Sequence, residues 1–209
     1  MKFAADCTDG YNRVELRGIV MPAPLLTRDE ILARLLTVFR SRGYQGASMS
    51  IISRETGLGK ASLYHHFPGG KDEMVFEVLK HVDSILDQYV LGPLSASGSP
   101  EDRLNNMIKN IDQFYGGGQK ACLLEALSLG GGGDAVSQKL KEQMKAWIKA
   151  MEAVSKDSGC DSKDARERAE EAMAAIQGAL IVARTTDNKS AFSRALKRLP
   201  DQLLKHSPR

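Results

Sequence analysis

The sequence predicts an all-α protein of about nine helices in two units, a small one at residues 27–73 and a larger one at 74–209. Apolar residues recur at three- and four-residue steps along most of the chain, and glycine and proline clusters interrupt those runs. No stretch alternates strictly, as a half-buried strand would. With 209 residues, 42% hydrophobic and 26% charged, the chain can build a core without a disulfide or metal staple. Residues 1–26 balance their acidic and basic side chains and hold no long apolar run, so they are set aside as a tail, with Met21 an alternative start.

Thr27-Arg28-Asp29-Glu30 has the capping-box pattern, in which the Thr27 hydroxyl accepts an amide and Glu30 reaches back. Ile31, Leu35 and Val38/Phe39 then share one helical face, and Gly43 closes the helix. A short second helix starts after Ser48, turns Met49 and Ile52 inward and stops at Gly57. A third occupies 59–66, before Pro68-Gly69-Gly70 breaks the chain. From Lys71 a long helix carries Val75, Val78/Leu79, Val82, Ile85/Leu86 and Tyr89 to a turn at Gly92-Pro93.

Leu104, Ile108, Ile111 and Phe114/Tyr115 line the next helix, which ends at Gly116-Gly117-Gly118. A short apolar segment over 121–129 leads into four glycines at 130–133. Val136, Leu140, Met144, Trp147/Ile148, Met151 and Val154 line another long helix. Asp161 or Ser162 caps the one after it, whose stripe runs through Ala169, Ala172/Met173, Ile176, Ala179/Leu180 and Ala183. The last helix holds Phe192, Ala195/Leu196, Leu199 and Leu203, with a kink expected at Pro200.

A net charge of +3 does not by itself mark a nucleic-acid binder. Its distribution says more, because residues 57–71 hold two lysines, two histidines and no acid. A surface facing phosphates needs such a stretch, since each carboxylate there repels the duplex. The three short helices with their glycine-bearing turns fit a helix-turn-helix. Leu63 and Phe67, four apart, face inward; Lys60 and Tyr64, also four apart, lie on another face beside Ala61 and His65. A cation, a phenol, an imidazole and a small side chain suit base edges and phosphates. Lys71, opening the long helix, is expected as an exposed clamp on the DNA backbone.

Residues 56–71, Thr-Gly-Leu-Gly-Lys-Ala-Ser-Leu-Tyr-His-His-Phe-Pro-Gly-Gly-Lys, resemble the DNA-binding signature of the tetracycline-repressor-like (TetR) family of bacterial transcription regulators. Phe39-Arg40-Ser41-Arg42-Gly43-Tyr44 and Ser48-Met49 stand where that family ends helix one and begins helix two. The resemblance covers roughly residues 27–75 and implies DNA contact by Ser48, Lys60, Ala61, Ser62, Tyr64, His65, His66 and Lys71. The chain departs from many relatives at Ser50 and Ile51, where a basic residue and an acid are usual.

Residues 122–130, Cys-Leu-Leu-Glu-Ala-Leu-Ser-Leu-Gly, with 177–180 and 192–204, resemble the LmrA/YxaF-type branch, whose members include regulators of drug-efflux genes. In the family the last two helices usually form a dimer and the helices before them enclose a ligand cavity. The resemblance thus implies a dimer interface through Ala169, Ala172, Met173, Ile176, Ala179, Leu180, Ala183, Phe192, Leu196 and Leu199. Met107, Phe114, Tyr115, Cys122, Met144, Trp147 and Met151 are suitable materials for an adaptable apolar pocket, although each also suits an ordinary core.

No metal site and no cofactor are expected. His65 and His66 are adjacent, so on a helix they point apart. Lys60 after Gly59 is not a phosphate loop, because Arg54 stands where glycine is needed and Ala61 replaces the hydroxyl residue. The two glycine runs follow no strand. Cys7, Cys122 and Cys160 make neither a disulfide framework nor a zinc knuckle, which places the chain in the reduced cytoplasm. No apolar run approaches the ~18 residues of a membrane span, so no membrane partner is expected.

The expected function is ligand-responsive control of transcription, most often repression. A homodimer would hold a roughly palindromic double-stranded DNA operator until a small apolar or aromatic effector releases it. No enzyme is expected, for want of a paired nucleophile and base. The alternatives are a small all-helical enzyme using the C-terminal cavity and a helical protein-binding adaptor.

Overall fold

The computed structural model describes residues 26–128 and 130–205. The expected tail falls outside these residues except for Leu26, and so do Cys7, Leu129 and His206. Ten α-helices follow, with no strand among the described residues: α1 (Arg28–Gly46), α2 (Met49–Thr56), α3 (Lys60–His66), α4 (Gly70–Leu86), α5 (Gly92–Ser95), α6 (Pro100–Phe114), α7 (Leu123–Ser128), α8 (Gly133–Asp157), α9 (Ser162–Thr185) and α10 (Ser190–Leu203).

The capping box at Thr27 forms as its sequence requires. Glu30 N–H donates to Thr27 Oγ1 at 3.3 Å and Thr27 N–H donates to the Glu30 carboxylate at 2.7 Å. Those bonds to Thr27 hold the Glu30 carboxyl below its usual pKa. Asp161, rather than Ser162, caps α9 by accepting the Lys163 and Asp164 amides at 3.0 Å each. Gly43 breaks the regular geometry of α1 with φ +63° and ψ −175°, although helical turns resume to Gly46. A Cβ there would lie 3.0 Å from the Ala126 carbonyl oxygen, so the bare backbone lets α7 come close to α1.

The turn expected at Gly92-Pro93 is instead a continuation of α4. A π turn over Asp87–Leu91 carries α4 into α5, and Pro93 sits in the first turn of that short helix. Proline is tolerated there because a first-turn N–H lacks a helical acceptor in any case. Asn110 Nδ2 donates at 2.8 Å to the Tyr89 carbonyl, which an α-helix would have paired with the missing Pro93 N–H. Pro200 is likewise accommodated inside α10, which runs on to Leu203.

One continuous core joins all of this. α1 packs on α4 and α7, α4 on α8, and α9 on both α8 and α10. The boundary expected at 73–74 therefore falls inside α4, a helix with neighbours in both units.

The expected dimer stripe needs correction. Ala169, Ala172, Met173, Ile176, Leu180 and Ala183 of α9, and Phe192, Leu196 and Leu199 of α10, are all buried within the single chain. Only Ala179 is half-buried. A stripe of small residues signals the close approach of another helix, and here that helix is the chain's own. The opposite side of α9 is the apolar surface left outside, with Ile181 43% and Val182 48% exposed.

Candidate nucleic-acid interface

The helix-turn-helix is assembled by backbone capping. The Ser48 hydroxyl accepts the Ile51 amide at 3.3 Å and starts α2. Gly57 ends it in the left-handed region, at φ +72° and ψ 9°, a conformation that costs other residues energy. Two carbonyls orphaned at this turn gain side-chain partners. Arg34 Nη1 of α1 donates to the Thr56 carbonyl at 2.6 Å, and Ser53 Oγ donates to the Leu58 carbonyl at 2.6 Å. Sequence reasoning passed over Arg34, whose signal was its position on the exposed side of α1. Leu63 and Phe67, both 0% exposed, then anchor α3 and fix which of its faces looks outward.

That outward face carries Lys60, Ala61, Tyr64 and His65, all exposed. Tyr64 is 49% exposed. Ser48 is also exposed, whereas Ser62 and His66 are half-buried. The rings of His65 and His66 do not point apart; they stand edge to face with centroids 5.6 Å apart. Among the described residues no three His, Cys, Asp or Glu side chains are grouped to hold a metal ion.

Lys71 is not the exposed clamp that was expected. It is half-buried, donates to the Tyr44 carbonyl at 3.1 Å, and sits 3.9 Å above the centre of the Tyr44 ring. Tyr44 in turn donates its hydroxyl to Asp72, which raises the Tyr44 phenol pKa. Glu73 accepts the Gly69 amide at 2.7 Å. The acids that follow the acid-free stretch are thus engaged with the protein itself. Tyr64 and Lys71 line one shallow hollow with Tyr44, Met49 and Pro68.

Residues 31–78 match the family described as "Bacterial regulatory proteins, tetR family", and residues 100–198 match "Transcriptional regulator LmrA/YxaF-like, C-terminal domain". The chain belongs to the TetR family. This TetR-family chain is 26% identical over 186 residues to the HTH-type transcriptional regulator LmrA of Bacillus subtilis, across 85% of itself and 96% of that protein. It is 22% identical over 178 residues to YxaF of the same organism, across 83% and 93%. A crystal structure of a TetR-family regulator from Agrobacterium tumefaciens superposes with a TM-score of 0.73 at 20% identity, covering 85% of this chain and 97% of that one. The chain is accordingly a DNA-binding transcription regulator and not an enzyme.

The apolar pocket expected in the larger unit is not gathered into one place. Met107, Tyr115, Cys122 and Met151 are buried in the core, and Phe114 and Met144 are partly buried against it. Phe114, Tyr115 and Cys122 instead meet Arg40 of α1. The Arg40 guanidinium lies 4.3 Å from the Phe114 ring centre and 5.7 Å from that of Tyr115, whose hydroxyl donates to Cys122 Sγ at 3.4 Å. Burial pushes the Tyr115 phenol well above its ordinary pKa and pulls the Arg40 guanidinium down. Aromatic and sulfur-bearing side chains signalled a binding site in the sequence, but here they cushion a half-buried cation between the two units.

Of the seven residues only Trp147 lines a cleft of about 250 Å³ between α4, its π turn and α8. Leu86, Val90 and Leu91 supply its apolar wall, and Asp83, Asp87, Lys139, Glu142 and Gln143 its polar one.

Lys71 gives one of its three N–H donors to the Tyr44 carbonyl, which leaves two for a phosphate, so Lys71→Ala is expected to weaken specific and nonspecific DNA binding alike and to flatten the salt slope by about one unit for each copy bound. Filter binding across a salt series reads both. Unequal losses on the two DNAs would instead make Lys71 a reader of sequence.

Proposed function

We propose that this TetR-family regulator acts as a homodimeric repressor, released from a palindromic operator when a small molecule occupies the cleft beside α4. The carrying observation is where the large apolar side chains stay outside. Three such residues stand exposed among those described: Tyr64 on α3, and Ile181 and Val182 on α9. One belongs to the face shaped for a groove, and the other two to the outer side of a helix next to the C-terminal one. Each surface suits one partner, the duplex and a second copy.

Two copies joined through α9 would set one α3 into each of two successive major grooves, about 34 Å apart along the duplex. Tyr64 and Lys60 would reach base edges and phosphates. Ser48, Ala61, Ser62, His65, His66 and Lys71 would complete the contact. The effector would act through α4, which starts beside α3 and passes the cleft. Whatever ligand weakens operator binding must itself bind more weakly to the DNA complex, typically by ~1–3 kcal/mol. Differential affinity for the two conformers supplies that energy.

Selection of genomic fragments by the purified protein tests the reading. Enrichment of a palindrome with half-sites one helical turn apart is expected, and enrichment of no shared sequence would refute it.

A further inference from the structure

We infer that the cleft between the π turn of α4 and α8 is built for an organic cation with a small aromatic or apolar body. The inference rests on the effector-controlled reading above and gives that effector a charge. The cleft is lined by three carboxylates, Asp83, Asp87 and Glu142, against the single ammonium of Lys139. Lys139 pairs with Asp83, and Gln143 Nε2 donates to the same carboxylate. Glu142 accepts only an amide, from Gln138 at 2.8 Å. Among the described residues, neither Asp87 nor Glu142 takes part in an ion pair. A concave, partly apolar site focuses such an uncompensated negative field and concentrates cations. An anion entering it would find its one ammonium already engaged.

Two buried atoms point independently to a ligand. Trp147 is 1% exposed and Gln143 4%, and both line the cleft. Trp147 Nε1 and Gln143 Oε1 nevertheless have no hydrogen-bond partner. The Gln143 amide cannot be turned around to repair this, because its nitrogen already donates to the Leu79 carbonyl at 2.9 Å and to Asp83. Polar groups left unpaired in a folded interior are unfavourable and uncommon. An ammonium N–H would satisfy Gln143 Oε1 while facing Asp87 and Glu142. An aromatic body would rest on Trp147 and the Leu86, Val90 and Leu91 wall. The π turn supplies Asp87, Val90 and Leu91 to the cleft, and such turns recur at functional sites.

Trp147 is the sole tryptophan of the 209 residues, so its emission reports on this cleft directly. The full chain is titrated with 4-phenylbutylamine, 4-phenylbutanol and 4-phenylbutyrate, three probes of one body and different charge. The amine is expected to shift the emission saturably, at least tenfold more tightly than the alcohol and with an affinity that falls as salt rises. The carboxylate is expected to leave the emission unchanged. Asp87→Asn and Glu142→Gln, made singly and together with melting curves recorded for each, should bring the amine down to the affinity of the alcohol.

The assignment is overturned if the alcohol or the carboxylate binds as tightly as the amine. It is equally overturned if no probe gives a saturable response, or if the folded double variant keeps the preference for the amine. Operator release, read by gel shift on the selected fragment, separates this inference from the functional proposal. Amine binding without release upholds the cleft assignment and removes effector control through it. Release by alcohol and carboxylate as readily as by amine upholds effector control and removes the assignment.

Discussion

Replacing Val182 by glutamate is expected to leave the protein folded, monomeric and unable to hold its operator. Val182 and Ile181 are 48% and 43% exposed on the outer side of α9, three and four residues beyond Gly178. A Cβ placed at Gly178 would have nothing within 4 Å. A glycine inside a helix costs roughly 0.5–1 kcal/mol relative to alanine, so this one is costly to an isolated chain. A second α9 packed closely across it, as in the proposed dimer, would give it a purpose. Val182→Glu would then bury one carboxylate from each copy in that apolar contact, at a penalty of roughly several kcal/mol per ion. In the separated chain the same side chain points to water and costs little.

Sedimentation at micromolar concentration should therefore show a single-chain mass, with helicity unchanged. A one-headed protein keeps only half of a palindrome, and specific affinity should fall toward the nonspecific level, by about a thousandfold or more. A variant that remains dimeric at full operator affinity would move the interface to another face.

Tyr64→Ala is expected to reduce operator affinity at least about tenfold while melting and oligomeric state stay as they were. Loss of one base or phosphate contact costs roughly 1–3 kcal/mol, and a two-fold complex loses it twice. Stability is insulated because Leu63 and Phe67, not Tyr64, hold α3 to the core. Gel-shift titration on the selected operator gives the loss, and a melting curve gives the control. Unchanged affinity would mean that α3 meets the duplex through a different side.

The turn chemistry was legible because it is local. The Thr27 box, the Gly57 stop and the inward pair Leu63/Phe67 depend on neighbours within a few residues, and all three form as the spacing requires. The orientation of α9 was not legible. Both of its sides are rich in small and apolar residues, and nothing along the chain tells which side α10 will cover. Lys71 was misplaced for a similar reason, since its carbonyl and ring partner, Tyr44, lies 27 residues away. The cleft escaped notice because its marks are two missing hydrogen bonds and a π turn, and neither has a compositional signature. Gly92-Pro93 read as a stop only because the rescue of the Tyr89 carbonyl comes from Asn110, on another helix.

The unbroken passage of α4 into its π turn has a geometric result. Its 17 residues make a rod about 25 Å long at 1.5 Å per residue, with one end beside α3 and the other at the cleft. Pivoting such a rod by about five degrees swings its far tip by about 2 Å, several times the roughly 0.5 Å range of hydrogen-bond distances. A guest too small to rearrange the core can thus spoil the spacing of two reading heads by nudging one strut.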